Sequence, residues 1–476
     1  MSTRATDVLV IGSGAGGALT AARLAEAGRT VTVLEEGPWL DADCCEPFSR
    51  EEMALKYRQR GVSATLGRPP IAFVEGRCVG GGTEINSGLY HRPPPDVLDA
   101  WRDAYEIMDC DADTIGPYAD AIERDLSVSL LRTPPPRASA ILDHGAAALG
   151  WKALEVPRVY RDDGDGDGGR KQTMSRTYIP RAVAAGARVV PDCRVVRLLR
   201  RGPRVLGALC VSSNGGRAER FTIEADHVFV CAGAVGTPAL LQRSGIVRNI
   251  GRGLKLHPTI KLGARFPDPI DGRSTVPMHQ VKEFAPELTL GGSASRRGYV
   301  ALALADVWDD GGKARMSDWE DIAVYYASIR SEGAGRVIAV PGLAAPVVTY
   351  RLTEADLSRL ARGAIHLGEL LFAAGARELY PSIARSGPIG TPADLPRLWD
   401  EVVRSHVGLM TIHLFSSVRM GEDRRKTGTD SYGRVWGVEN LRVNDASLLP
   451  DAPGVNPQGS IMAFAARNCD HFLSSP

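Results

Sequence analysis

Residues 7–37 read DVLVIGSGAGGALTAARLAEAGRTVTVLEEG. Asp7 to Ile11 is an apolar run with the length of a buried strand, and Thr30 to Leu34 is a second. Between them, Ala18 to Ala27 places its apolar residues at helical spacing and stops at Gly28. Two strands joined by so short a helical crossover form a parallel pair. The turn after the first strand, Gly12-Ser13-Gly14-Ala15-Gly16-Gly17, fits GxGxxG. Gly12 permits the tight turn. Gly14 lets the backbone approach a pyrophosphate at the positive end of the helix, and Gly17 lets helix and strand pack closely. Ser13 and Ala15 belong to the same turn and are expected to touch the cofactor with it. Glu35 ends the second strand, where its carboxylate can accept hydrogen bonds from ribose hydroxyls. An empty glycine-rich turn has no need of an acid at that distance. The stretch therefore predicts dinucleotide binding, without separating FAD from NAD.

The rest of the chain bounds what surrounds this unit. Its 476 residues are too many for one compact core, so two or more domains are expected. Lys and Arg number 57 against 56 Asp and Glu, which argues against a protein that wraps nucleic acid in basic charge. No run of 18 uncharged apolar residues occurs, so no membrane-spanning helix is expected. Arg4 ahead of an apolar run resembles a signal peptide, but Arg23 and Glu26 fit the helix reading better, and a cytoplasmic location is expected. The eight cysteines are scattered, with no CxxC and no histidine at zinc spacing, so they read as reduced thiols and no metal site is expected. Residues 162–169 (DDGDGDGG) read as a flexible loop. They lack the glutamate that a calcium loop carries at its twelfth position.

Further along, 76–88 (GRCVGGGTEINSG) is a second glycine-rich block, and 96–131 is a polar, helical stretch. From Ala187 the pattern is β, through HVFVCAG. Residues 258–352 add several strands, among them YVALALADVW (299–308), IAVYYASIR, RVIAV and VVTYRL. Residues 353–375 form an amphipathic helix, with Thr353 and Asp356 as a capping pair and Gly375 as its stop. Near the C-terminus, GRVWGVENLRVNDAS reads as a hairpin and strand ending near Asp445, followed by a Pro/Gly turn and a helix from about Gly459. A cofactor held at both ends of the chain is long, which favours FAD.

Four stretches, 8–37, 76–88, 227–258 and 413–473, occur in the order found in glucose–methanol–choline (GMC) oxidoreductases, and the chain resembles that family. The GVNP turn at 454–457 is most similar to the cholesterol oxidase branch. The resemblance implies an α/β fold, with a Rossmann-like FAD-binding domain (1–95, 180–265 and 425–476). It also implies an inserted α+β substrate domain on a mixed or antiparallel sheet (96–179 and 266–424). It implies that Gly12, Gly14, Gly17 and Glu35 hold the AMP half of FAD, and that Gly80, Gly81, Gly82 and Asn86 wrap the flavin. Val195 would touch adenine, Asp445 with Ala446 would lie near the pyrophosphate and ribityl chain, and Asn456 to Gln458 would lie at the pyrimidine end. Ile85 stands where some members carry a histidine that bonds the flavin, so FAD is expected to be non-covalent.

Alcohol oxidation needs a base for the hydroxyl proton and an acceptor for the hydride. The resemblance implies that His413 is the base and that Asn456, a neutral amide, donates to the substrate oxygen, with the hydride going to flavin N5. The family's HxxGT appears here as His413-Leu414-Phe415-Ser416-Ser417, without its glycine. His257 and His406 read as structural, and His91, which could line the flavin's edge, reads as a surface residue. The expected partners are a small-molecule alcohol and oxygen or another acceptor, with no nucleic acid and no membrane. A lyase that keeps FAD for structure, or a non-catalytic nucleotide-binding protein, are the alternatives.

Overall fold

The computed structural model describes residues 3–41, 43–162, 169–212, 218–270, 278–304 and 319–475. In it the N-terminal stretch folds as strand β1 (Thr3–Ile11), helix α1 (Ala15–Glu26) and strand β2 (Val31–Leu34). The strands pair in parallel, Val8 opposite Val31 through Ile11 opposite Leu34. Val8, Leu9, Val10 and all of β2 are buried, as strands covered on both faces must be. β1 sits inside a seven-stranded sheet whose order is Cys193–Arg201, Arg204–Ser212, Glu219–Val230, β1, β2 and Arg188–Val190. Leu441–Val443 joins in parallel beside Val228 to Val230. Segments from three distant parts of the chain thus meet at the carboxyl ends of the central strands, where open α/β sheets bind ligands.

Glycine makes that meeting possible. A Cβ on Gly16 would lie 2.0 Å from the Asn444 carbonyl oxygen, and one on Gly17 would lie 2.0 Å from that of Gly12. The turn is pressed against the returning C-terminal chain as well as against its own strand.

The second core is built on a nine-stranded, almost wholly antiparallel sheet. Its order is Ser63–Ala64, Ile71–Phe73, Leu409–Thr411, Thr259–Arg265, Ile322–Ile329, Leu288–Gly292, His279–Val281 and Ala153–Glu155, with Glu378–Pro381 beside Thr259–Arg265. One face buries Ile260, Leu262, Ala264, Tyr325 and Ala327 against Leu360, Ala364, Leu367 and Leu371 of the helix Glu354–Ala373. That helix opens with the expected capping box of Thr353 and Asp356, and Gly375 follows it at φ +91°. The opposite face of the sheet looks toward the first core. Helices Pro95–Tyr105 and Ala112–Asp125 bury Trp101, Ile115 and Ile122 in the first core.

One expected strand is a helix. Tyr299 to Ala303 lie in the helix Arg297–Ala303. Val300, Ala303 and Leu304 pack on Ile322, Val324 and Tyr380. So short a run of Ala, Leu and Val satisfies both periods, and the helix preference of Ala and Leu decides it. Residues 305–308 of that run, and 163–168 of the acidic loop, lie outside the described residues. Among the described residues no helix is long and apolar enough to cross a membrane.

Candidate active site

A cavity of about 730 Å³ runs between the two cores. Gly12, Ser13, Gly14, Ala15, Glu35 and Val195 line it at the α1 end, and Gly81, Gly82 and Asn86 line its middle. His413, Asp445, Ala446, Asn456 and Gln458 also line it. Two predicted residues stand behind the wall. Gly17 makes the packing contact described above. Gly80, at φ +98°, donates its N–H to Ser13 Oγ at 3.1 Å and so ties the second glycine-rich block to the first.

Glu35 is committed to its own turn. It accepts from Ser13 N at 3.1 Å, from Ser13 Oγ at 2.7 Å and from Gly37 N at 2.9 Å. Burial raises its pKa against these hydrogen bonds. Asp445 is engaged in the same way, accepting from Gly233 N at 2.8 Å, from Ser447 N at 2.8 Å and from the hydroxyls of Thr237 and Ser447. It clamps the start of the helix Gly233–Arg243 to the C-terminal chain. Asn86 Nδ2 donates to Gln458 Oε1 at 2.8 Å, joining residues 372 apart in sequence at the first residue of the helix Gln458–Ser474.

The cavity fits FAD on its own evidence. Gly14, Gly82 and Gly233 all line it, and a Cβ on any of them would meet nothing within 4 Å. Space is kept in front of exposed backbone, which is what a bound dinucleotide requires. The N-terminus of α1 opens on the same space with no acid in its first turn, so its positive end is free for phosphate.

His413 and Asn456 are brought to one cavity wall from two chain segments. His413 Nδ1 lies 3.0 Å from His257 Nδ1, and His257 Nε2 accepts the Gly454 N–H at 3.2 Å. These contacts assign the protons of the neutral pair. His257 Nε2 bears a lone pair, so its proton is on Nδ1 and is donated to His413 Nδ1. The His413 proton is then on Nε2. Burial and the nearby Lys282 ammonium push His413 down to about 4, and His257 is held well below its usual value by burial and His413. Asn456 Oδ1 accepts from Gln280 Nε2 at 3.2 Å, leaving its amide N–H groups for the cavity.

Serine stands at the glycine's position in the His413 segment and takes a conformation that favours glycine. Ser416 itself adopts φ +67°. One expectation about histidines is corrected: His91 has both ring nitrogens buried, with no partner among the described residues. His257, expected as structural, holds the Gly454 backbone and His413 together. Gln280 and Lys282 were not singled out in the sequence, where nothing but their alternation in a short strand marks them.

Fold and cavity together define a dinucleotide-dependent enzyme that joins a Rossmann-like core to a sheet-roofed chamber. The chain belongs to the GMC oxidoreductase family, whose N- and C-terminal models match residues 7–259 and 335–465. It is an FAD-dependent oxidoreductase of the class that acts on CH–OH donors. It is 41% identical to an uncharacterized GMC-type oxidoreductase, y4nJ, of Sinorhizobium fredii, over 98% of this chain and 94% of that one. It is 29% identical to the long-chain-alcohol oxidase FAO4B of Arabidopsis thaliana, over 96% of this chain and 66% of that one. Among solved structures, pyridoxine 4-oxidase from Mesorbium loti superposes with a TM-score of 0.76 at 21% identity, covering 99% of this chain and 100% of that one. That last likeness concerns the fold.

Proposed function

We propose that this protein oxidises an alcohol group of a small molecule to a carbonyl, with His413 and Asn456 holding the reacting oxygen. The observation that carries the reading is the placement of these two side chains on one wall of a cavity built for FAD. The relatives named for long-chain-alcohol oxidation support the same class. Bound FAD supplies the hydride acceptor, and oxygen or another acceptor takes the electrons onward.

The chain's own part is to manage one oxygen and one proton. In the resting tautomer His413 Nε2–H and an Asn456 amide N–H both point donors at the substrate oxygen, and stabilise negative charge that grows there. His413 accepts the hydroxyl proton in its other tautomer, with Nδ1–H donated to His257. His257 reaches that arrangement by giving up the Gly454 N–H. Base duty is therefore shared across the His257–His413 bond. The low pKa keeps His413 unprotonated at neutral pH.

Ile85 next to Asn86 offers no nucleophile to the flavin, so FAD is held without a covalent bond. The FAD-binding unit is taken as 1–95, 180–265 and 425–476 and the substrate unit as 96–179 and 266–424, except that the strands Ser63–Ala64, Ile71–Phe73 and Thr259–Arg265 belong to the substrate sheet and the helices Pro95–Tyr105 and Ala112–Asp125 pack in the FAD-binding core. The test is an absorption spectrum before and after acid precipitation, followed by anaerobic mixing with alcohols. Flavin that stays in the supernatant and is bleached by an alcohol is the expected result. His413→Ala should bind FAD but lose about 10²–10⁴-fold in flavin reduction rate. A colourless protein that takes up no FAD, or a His413→Ala variant of full activity, would defeat the reading.

A further inference from the structure

We propose, building on the alcohol-oxidation reading above, that the substrate is an anionic alcohol whose carboxylate is held by Lys282. This lysine projects from the sheet that roofs the reaction chamber, with Lys261 as a second positive pole on the same face.

The face is fixed by register. Gln280 donates to Asn456 of the cavity wall, so it faces that side of the sheet, just behind the lining residues. Lys282 lies two residues further along the same extended segment and points the same way. Its Nζ donates to Thr289 Oγ1 at 3.2 Å. Thr289 is paired with Ser328, and Ser328 with Thr259, whose hydroxyl donates to Ser328 Oγ at 3.1 Å. In the neighbouring row, Gln280 Nε2 donates to Tyr326 OH at 3.1 Å, and Tyr326 is directly opposite Lys261. The two lysines therefore stand on one surface, three strand spacings across and two residues along, about 16 Å apart.

Nothing on that surface balances them. The neighbours named above are hydroxyls and an amide, and the nearest acid on that face, Glu378, is paired with Arg265. Among the described residues neither lysine has a carboxylate within 4.0 Å, unlike Lys56, matched by Glu52, and Lys255, matched by Asp451. Lys171 and Arg467 also have no carboxylate that close, but backbone carbonyls hold them. Lys282 has the one hydrogen bond to Thr289, although an ammonium offers three donors. Lys261 has the Tyr299 ring, its Nζ 5.9 Å from the centroid. Burial pushes both down to about 8. A desolvated ammonium without a counter-charge is unfavourable, and a site that keeps one is arranged for a charge that arrives with the ligand. The phosphates of the cofactor belong at the α1 end, so they do not serve this purpose.

Two further groups await a ligand on the same side. His91, which feels the Lys282 charge, has both ring nitrogens buried without partners, and Gln280 Oε1 is buried without a donor. A carboxylate accepts from Lys282 and from one His91 N–H. The reacting hydroxyl stays with His413, which also feels the Lys282 charge. Cationic alcohols meet repulsion from the same group.

The test uses the FAD-loaded protein and three alcohols of one shape: 4-(hydroxymethyl)benzoate, its carboxamide, and 4-(aminomethyl)benzyl alcohol. Binding of benzoate and benzamide, read from the shift of flavin absorbance, is measured in parallel and needs no turnover. The expected order of kcat/KM is carboxylate above amide by tenfold or more, with the amine lowest, and benzoate binds tenfold tighter than benzamide. Lys282→Met should lower the carboxylate-to-amide ratio tenfold or more, and Lys282→Arg should restore most of it. Equal or reversed preference overturns the proposal. So does a Lys282→Met variant that slows both substrates alike and shifts the flavin potential, because the lysine would then serve the flavin. If no alcohol of any kind reduces the flavin, the oxidation reading fails by itself, and benzoate binding that depends on Lys282 still decides the anion site.

Discussion

Replacing Ser416 by glycine should make the protein more stable without altering its chemistry. Ser416 is fully buried, adopts φ +67°, and its hydroxyl has no partner among the described residues. Its N–H donates to the Ala446 carbonyl at 3.3 Å, a bond that glycine keeps. The left-handed conformation costs a serine about 1–2 kcal/mol. A buried, unsatisfied hydroxyl costs about 1–3 kcal/mol more. Against this stand the extra freedom of glycine in the unfolded chain, about 0.4–1 kcal/mol, and the lost contact of a methylene-sized group, about 0.8 kcal/mol. The balance favours glycine by about 2 kcal/mol, with extremes of about 0 and 4 kcal/mol. Urea unfolding of the FAD-saturated protein at fixed cofactor concentration measures it, with Ser416→Ala as the control. Alanine removes the hydroxyl but keeps the strained Cβ, so it should recover only part of the gain. A lower midpoint for Ser416→Gly, or a kcat changed more than threefold, would refute the reasoning. The first result would mean that the backbone is not strained, and the second that the Ser416 side chain sets the pose of His413.

Other outcomes follow from the same geometry. Gly14→Ala should leave the apoprotein as stable as the parent, since its φ of −69° suits alanine and its Cβ meets nothing. FAD affinity should fall at least tenfold, measured by flavin fluorescence titration. Gly16→Ala should instead fail to fold, with its Cβ 2.0 Å from a backbone oxygen, as judged by expression and circular dichroism. Acid should weaken the fold: burial holds His91 at about 3 and His413 at about 4, below the usual 6.5. The unfolded chain binds more protons between those values, so this stability is complete above pH 6.5 and is lost as pH falls toward 4. At pH 5 each group withdraws about 2 kcal/mol. The urea midpoint of the apoprotein should drop from pH 7.5 to pH 5, and His91→Phe should flatten the drop.

The N-terminal unit was legible because each of its signals is local. Turn glycines, helical spacing and an acid at the end of the second strand all lie within thirty residues, and β1, α1 and β2 follow them closely. Most of the residues that line the cavity were legible for the same reason, as a set of short turns, although the sequence did not reveal that Glu35 is largely engaged by Ser13 and Gly37. The helix at 297–303 was misread because five or six small apolar residues do not distinguish the two periods, and its packing under Tyr380 is not local information.

The chamber is a different kind of object. His257 and His413 are 156 residues apart, and Gln280 and Asn456 are 176 apart. Each meeting depends on how antiparallel strands are aligned. Shifting the His279–Val281 strand by one residue against Leu288–Gly292 would turn Gln280 and Lys282 into the apolar core and leave Val281 facing the substrate. Two contacts set the register. His279 Nδ1 meets Ser139 Oγ at 2.8 Å on the core side, and Val281 is buried beside Leu290. The side chains that shape the chamber are therefore selected by residues that never touch it, so substitutions at Ser139 or His279 should reach the chemistry through Lys282 and Gln280. A Ser139→Ala variant that keeps its FAD but loses discrimination among charged alcohols would show that dependence directly.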